Sequence, residues 1–403
     1  MPGDAIDAGN AMRNGDTNRT DGPGAFRNPS LDIARGLIVA LMALDHVRIF
    51  FTSAQFDPVD VGATDWGYFL TRWVTHLCAP GFFFIAGAGV YLSERSNPDR
   101  YALSRFLALR GVWLIVAEIA VFGFAWSFRP GWMWFGVIWA LGGSFLLLAA
   151  ARLLPKWLLL PTTLALLLLL PAVQGAIRVP DSFGALFFHG GVADLPLLGA
   201  RAVLYPLLPW AALMFAGYAS APYWLRAGEP VPARLIVAGL WLISIFVALR
   251  VFGIGGGSAE PHAGSKMLMS FLNVRKYPPS LQFSSLTIGL LALFCGWAAS
   301  RSSAGSRAWA PLRDFGRVPF FFYAIHLFLI HGSALAVAAV LGWPTDYLFW
   351  QGVWPHLQPP NGYGFGLAGV LIAWLAVLAL LWPMCVWFGA IKRKHPSLLL
   401  RLL

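Results

Sequence analysis

Long apolar runs, separated by short polar connections that carry basic residues, dominate this chain. Ten runs read as membrane-spanning helices, at about 33–51, 67–92, 106–127, 132–152, 157–174, 203–220, 233–253, 281–299, 317–341 and 365–389. Each approaches the roughly 20 apolar residues that a bilayer crossing requires. The expected fold is therefore all-α, a polytopic transmembrane helix bundle of about ten spans. The fifth run is almost pure leucine from Leu164 to Leu170 but is bracketed by Pro161 and Pro171, and the sixth carries Pro206 and Pro209. Such prolines kink a span unless neighbours satisfy the freed carbonyls. Residues 1–29 are polar, without the apolar stretch of a cleavable signal, and read as a disordered cytoplasmic tail. Residues 30–391 form one transmembrane domain, and 392–403 a basic cytoplasmic C-terminus.

Lysine and arginine orient the bundle. With the N-terminus inside, 20 of the 29 basic residues fall in the inside segments, while Asp57, Asp60 and Asp65 fall in the first outside loop. The positive-inside rule thus places both termini in the cytoplasm, N-in and C-in, with an even number of spans. Three outside connections are longer, about 52–66, 175–202 and 254–280. The last runs from a Gly255-Gly-Gly-Ser stretch to the Pro278-Pro279 pair, and its apolar middle either lies at the interface, dips back as a lid, or simply connects two spans.

Composition agrees with this pattern. The 403 residues are 58% hydrophobic and 12% charged, with a net charge of +11. An average soluble chain has about 25% charged residues, so the balance argues against a water-soluble enzyme and excludes a disordered chain. A nucleic-acid binder would gather its basic residues on one face; here they are dispersed between the spans, and no nucleic-acid partner is expected. Cys78, Cys295 and Cys385 all fall inside apolar segments, which is no basis for a disulfide framework.

Ionisable groups inside spans are costly and are functional candidates by default. They are Asp45, His46, Arg48, Arg72, His76, Glu118, His326 and His331. Arg35 and His46 are eleven residues apart, so at about 100° per residue they share one helix face, roughly 16 Å apart along the axis. That pair would suit an enzyme with a phosphorylated donor at the inner mouth and an acceptor in the outer half, since Arg binds phosphate and neutral His acts as general base. Taken singly, Arg35 reads as a topology anchor and His46 as an interfacial residue. Arg72 and His76, at i and i+4, share a face at a depth matching His46, so two imidazoles could meet there. Pro80-Gly81 is a candidate helix break. Tyr323 and His326 share a face in the ninth span, and Glu118 needs a partner: a His, an Arg or its own proton. No metal-binding spacing, Walker loop, nucleophile elbow or dinucleotide fingerprint appears, and no metal is expected.

Six blocks carry a family resemblance. They are Leu31-Asp32-Ile-Ala-Arg35-Gly36 through Asp45-His46, Arg72-Trp-Val-Thr-His76-Leu-Cys-Ala-Pro80 through Gly87, Val137-Ile-Trp139-Ala-Leu-Gly142, Tyr205-Pro206-Leu-Leu-Pro209-Trp210, Lys276-Tyr-Pro-Pro-Ser280 and Phe322-Tyr323-Ala-Ile-His326. Together they resemble bacterial proteins grouped with the heparan-alpha-glucosaminide N-acetyltransferase catalytic domain. The Arg, ten residues, His pattern also looks like the first span of wider membrane acyltransferases that modify cell-surface glycans. The resemblance implies a transmembrane acyltransferase in the bacterial inner membrane. It would pass an acyl group, typically acetyl from cytosolic acetyl-CoA, to an amine or hydroxyl of an extracytoplasmic sugar or glycolipid. Arg35, Asp45, His46, His76 and His326 lie in the matching blocks. In the animal enzyme the proposed catalytic His is in the first lumenal loop; residues 51–65 here hold none, which leaves His46 or His76 for that role.

His46, His76 and Asp45 are accordingly the catalytic candidates. Arg35, Arg48, Arg72, Lys276, Tyr323 and His326 are the substrate-binding candidates, with Arg35 also on the acetyl-CoA phosphates. Acyl-CoA, the acceptor and membrane lipids are the expected partners, and a homodimer is left open. The competing reading is a proton-coupled membrane transporter whose buried His, Glu118 and Arg groups form a relay. A non-catalytic scaffold would carry so many intramembrane polar groups at great cost.

Overall fold

A computed structural model describes residues 28–96, 99–170, 181–226, 229–301, 306–350, 353, 358–395, 397, 400 and 402. Residues 1–27 of the expected N-terminal tail lie outside the described residues. The first helix, α1 (Pro29–Phe51), starts where Asn28 Oδ1 accepts from the backbone N–H groups of Ser30 and Leu31, at 3.0 and 3.2 Å, with Pro29 in the first turn. It is a central helix, with 17 of its 23 residues buried. The last long helix, Leu367–Lys394, buries 6 of 28 and turns most of its apolar surface outward.

The remaining elements follow in order. Helix α2 (Trp66–Trp73) passes through a 3₁₀ turn at Val74–Leu77 into α3 (Cys78–Ser96). Helix α4 (Arg100–Ala117) passes through a π-turn at Glu118–Phe122 into α5 (Gly123–Ser127). Then come α6 (Val137–Ala151), α7 (Leu159–Leu164) with a π-turn to Leu169, and α8 (Asp181–Gly184) with a π-turn to His189. After strands β1 (Gly191–Leu195) and β2 (Gly199–Val203) follow α9 (Leu207–Trp224), β3 (Leu225–Arg226), β4 (Glu229–Pro230) and α10 (Pro232–Val251). The chain ends with α11 (Ser265–Leu272), α12 (Leu281–Ser300), α13 (Ala310–Arg317), α14 (Pro319–Leu341) and α15 (Leu367–Lys394).

The protein is mostly helical, and among the described residues each of the ten apolar runs falls largely on a helix, with 171–174 of the fifth run outside the described residues. Among the described residues, six helices are long and apolar enough to cross a membrane: α2–α3, α4–α5, α10, α12, α14 and α15. The other four runs fall on α1, α6, α7 and α9. Helix α1 carries Asp32, Arg35, Asp45 and Arg48. Helix α6 has 15 residues, about 22 Å, short of the roughly 30 Å hydrocarbon core. The fold also departs from an all-α expectation at two antiparallel ribbons, β1–β2 (Gly191 opposite Val203) and β3–β4. The first occupies the connection after the fifth run, where glycines at positive φ (Gly190, Gly191, Gly199) turn the chain. A ladder satisfies backbone groups that a bare loop would leave open.

Reciprocal glycines set the closest helix crossings. A Cβ on Gly36 would fall 1.7 Å from the Leu312 carbonyl oxygen, and one on Gly316 would fall 1.7 Å from that of Asp32. Helices α1 and α13 therefore cross backbone against backbone. The same exchange joins α3 to α9, where Gly87 faces Met214 and Gly217 faces Phe84, each at 1.9 Å. Small residues at such crossings let dispersion and backbone contact replace the missing hydrophobic drive.

Gly87→Ala and Gly217→Ala should each destabilise the protein by about 1–3 kcal/mol or more, the cost of overpacking a filled contact. Gly332→Ala, in α14, meets nothing within 4 Å and should leave stability unchanged or slightly raised. Thermal unfolding in detergent measures the difference.

Candidate active site

Asp45 stands two-thirds of the way along α1, and both of its oxygens are taken. Oδ1 accepts from Arg48 Nη2 at 2.7 Å, one turn on, and Oδ2 accepts from Arg72 Nη1 at 2.6 Å, across on α2. One carboxylate thus ties two helices through two guanidiniums. A charge in an apolar bundle is tolerable when it is paired and hydrogen-bonded in this way.

The next residue, His46, is buried and projects toward α14. Its Nδ1 lies 2.7 Å from His326 Nε2, and His326 Nδ1 lies 2.6 Å from the Tyr323 carbonyl oxygen and 3.1 Å from that of Phe322. A carbonyl oxygen accepts and never donates, so His326 Nδ1 carries a proton. In the neutral pair His326 Nε2 is then the acceptor, and His46 Nδ1–H donates to it. His46 Nε2 is left with its lone pair free, the state of a general base. Trp126 packs edge-on against His46, with ring centroids 4.7 Å apart.

A cavity of about 1160 Å³ opens beside these groups, lined by Asp45, His46, Arg48, Arg72, His76, Lys276 and Tyr323, along with Trp126, Trp134 and Tyr205. Seven of the nine expected site residues are thereby brought together. His326 stands behind His46 and supports it. Arg35 is the residue set apart. It pairs with Asp32 at 3.0 Å and lines a second cavity of about 370 Å³, toward the N-terminal end of α1, with Arg110, Arg317 and Lys392. The two cavities share Phe82, Val137 and Tyr323 in their walls. The shared helix face does not put Arg35 and His46 on one cavity; they line two that have these three side chains in common.

Two further expectations are corrected. The imidazole that meets His46 is His326, not His76. His76 sits in the 3₁₀ turn, edge-on to Phe283 with centroids 5.6 Å apart, and its Nδ1 is buried with no partner among the described residues. The helix break falls at Val74–Leu77, ahead of Pro80-Gly81, which lie in the first turn of α3. Pro80 has no N–H to give the His76 carbonyl, and a first helical turn tolerates that loss, so the irregularity precedes the proline. Glu118, in the π-turn, finds neither His nor Arg. Its Oε1 accepts the Gly136 N–H at 2.8 Å, and Oε2 is buried without a hydrogen bond. His331 donates through Nδ1 to the Ala125 carbonyl at 3.0 Å and stacks on Phe128, a structural role. Among the described residues no group of three His, Cys, Asp or Glu is placed to hold a metal.

The connection 254–280 builds the wall of the larger cavity. Arg250, at the end of α10, donates to the carbonyls of Ser270, Phe271 and Asn273, at 2.6, 3.0 and 2.7 Å. These carbonyls lie at or just past the C-terminal end of α11, where intrahelical donors run out. Gln282 accepts from Arg250 and donates to Leu249, Ile254 and Gly257. Asn273 and Lys266 bond the first loop at Val59 and Gly62. Neither Gln282 nor this use of Arg250 was legible beforehand, although a Gln opening an apolar run is a signal. Arg152, just past the end of α6, is also buried. It bonds Ser104 and the Arg100 carbonyl and pairs with Glu94 at 3.4 Å.

The family model described as "Heparan-alpha-glucosaminide N-acetyltransferase, catalytic" matches residues 27–248, more than half of the chain. The chain belongs to this family. It is thus a member of a membrane acetyltransferase family, with several apolar helices of an integral membrane protein. The match to the heparan-alpha-glucosaminide N-acetyltransferase catalytic domain takes in Arg35, Asp45, His46, Arg48, Arg72 and His76, and ends before Lys276, Tyr323 and His326. No curated protein matches the chain.

Asp45→Asn should lower the unfolding free energy by about 3–5 kcal/mol, because it leaves two buried guanidiniums facing a neutral amide. Asp45→Glu should recover part of the loss. Chemical denaturation in detergent checks both.

Proposed function

We propose that this protein is an integral-membrane acyltransferase that moves an acetyl group from cytosolic acetyl-CoA to an amine or hydroxyl of an extracytoplasmic sugar or glycolipid. One observation carries the reading. His46, whose Nε2 is left free by its pairing with His326, lines one cavity, and that cavity shares Phe82, Val137 and Tyr323 with a second, cation-lined cavity. In this reading all ten helical runs sit in the bacterial cytoplasmic membrane with both termini inside. The cavity of Arg35, Arg110, Arg317 and Lys392 then faces the cytosol and suits the phosphates of the donor. The larger cavity faces outward and takes the acceptor.

The chemistry runs at the shared wall. The acceptor nitrogen or oxygen attacks the thioester carbonyl carbon while His46 Nε2 takes its proton. Charge develops on the carbonyl oxygen, where the Tyr323 hydroxyl and Arg72 are the available donors. Trp126 donates to the Tyr323 hydroxyl oxygen, which leaves the Tyr323 O–H free for this task. As the intermediate collapses the carbon–sulfur bond breaks, and the CoA thiolate takes the proton back from His46. The products are the acetylated sugar and CoA thiol. His326 acts through His46: it holds the ring in the tautomer with Nε2 bare. Asp45 fixes the neighbouring turn and Arg72. Two cavities meeting at one point favour direct transfer within a ternary complex over an acyl-histidine.

Purified protein in nanodiscs, given radiolabelled acetyl-CoA and a panel of amino sugars and glycolipids, should transfer label to an acceptor, with intersecting initial-velocity patterns. His46→Ala should lower kcat by about 10²–10⁴-fold. His326→Phe should lower it by roughly 10–100-fold with little change in KM, as for a group that orients another. Parallel initial-velocity lines would refute direct transfer. Absence of transfer across the panel, with proton-coupled solute flux in liposomes, would replace the enzyme by a transporter.

A further inference from the structure

Besides His46, the larger cavity holds a second set of groups able to exchange a proton. Tyr205 and Tyr277 both line it. Their rings meet edge to face, with centroids 5.4 Å apart, and their hydroxyl oxygens lie 3.3 Å apart. Two cations bond the same Tyr277 oxygen: Lys276, from the preceding position, and Arg72, from α2. An ammonium and a guanidinium only donate, so the Tyr277 oxygen accepts from both. The Tyr205 O–H is then the donor of the third bond. Three donors around one phenol oxygen favour its charged form, whereas a neutral phenol would have to keep its own proton among two cations. The charged and titratable groups that face the pair are Lys276 from its own connection, Arg72 from α2 and, across Arg72, Asp45 from α1. Burial raises the Tyr277 phenol, but Lys276 and Arg72, with the Tyr205 bond, lower it by more, and it is held below its usual range.

Lys276 is 8% exposed, and a buried ammonium needs an anion beside it. The Tyr277 oxygen supplies one. We propose that Tyr277 is a phenolate braced by Lys276 and Arg72, and that with Tyr205 it forms a second base of the larger cavity, a proton-exchanging pair separate from His46. The role as base rests on the acyltransferase reading; the ionisation does not. An amine that enters as its ammonium loses two protons, one before it attacks and one as the amide forms, and His46 Nε2 takes one of them. The Tyr205 oxygen accepts the other while its own O–H proton passes to the Tyr277 oxygen. Two neutral phenols and a free amine result. After transfer the extra proton leaves the pair for water, which restores the phenolate and accounts for the one proton that acylation of an ammonium by a thioester releases.

Ultraviolet absorbance of the protein in nanodiscs, followed through an alkaline titration, counts phenolates as they form. One of the ten tyrosines should ionise ahead of the others by roughly one pH unit or more, the effect of an adjacent opposite charge. Tyr277→Phe should remove that early phase. Lys276→Met, which keeps the phenol, should move it back among the rest, and Lys276→Arg should leave it early. In transfer of labelled acetyl to an amino sugar, Tyr277→Phe should cost roughly 10²-fold near neutral pH and little at alkaline pH, where the amine enters already neutral. Tyr205→Phe breaks the relay but not the hold of the cations, so it should show the same transfer loss with the early ionisation still present. An early phase that survives in Tyr277→Phe, or that is unmoved in a folded Lys276→Met protein, would overturn the proposal, as would a transfer pH profile untouched by Tyr277→Phe. Early ionisation in a protein that transfers nothing would refute the enzyme reading and leave the phenolate standing. Transfer with every tyrosine titrating together would do the reverse.

Discussion

A carboxylate cannot be buried in an apolar bundle unless cations meet it, and at Asp45 two do. Arg48 answers from the same helix and Arg72 from the next. This pairing fixes the rotation of α1 about its axis and locks α2 against it. Because His46 follows Asp45 directly, the same lock sets the direction of the imidazole. The cavity, the base and its cationic rim all inherit their geometry from that one ionic cluster.

Backbone proximity does the complementary work on the other side of α1. Gly36 and Gly316 allow α1 and α13 to touch through their main chains, and α14 continues from α13 after Val318. His326, two turns into α14, is thereby delivered to hydrogen-bonding distance of His46. The tautomer of the pair is decided further still from the base, by the Tyr323 carbonyl. A helix C=O that accepts a side-chain proton in place of water is economical where water is scarce.

The division into two cavities gives the site its directionality. Phe82, Val137 and Tyr323 are common to the space lined by Arg35 and the space lined by His46, so in the proposed reaction donor and acceptor need share only a short contact. The Arg250–Gln282 staple closes the far side by bonding carbonyls at the C-terminal end of α11 and just beyond it. A long connection, expensive to order by itself, is thus held by one guanidinium and one amide.

The ten apolar runs and the scarce ionisable residues within them were readable along the chain, because spacing and hydropathy are local properties, and six residue blocks carried the likeness to an acetyltransferase family. Asp45, His46, Arg72 and His76 stood out as polar groups in apolar runs, and they do line one cavity. Tertiary structure decided which of them meet. His46 pairs with a residue 280 positions away rather than with His76, and Arg35 lines a different cavity, a division that a helical wheel cannot represent. Arg110, Arg317, Lys392 and Arg250 could not be told from topology markers, since a charge near a helix end looks the same whether it faces lipid headgroups or a cavity. Partnership among buried polar groups depends on helix packing, and packing here was set by glycine contacts whose consequences appear only once the helices are side by side.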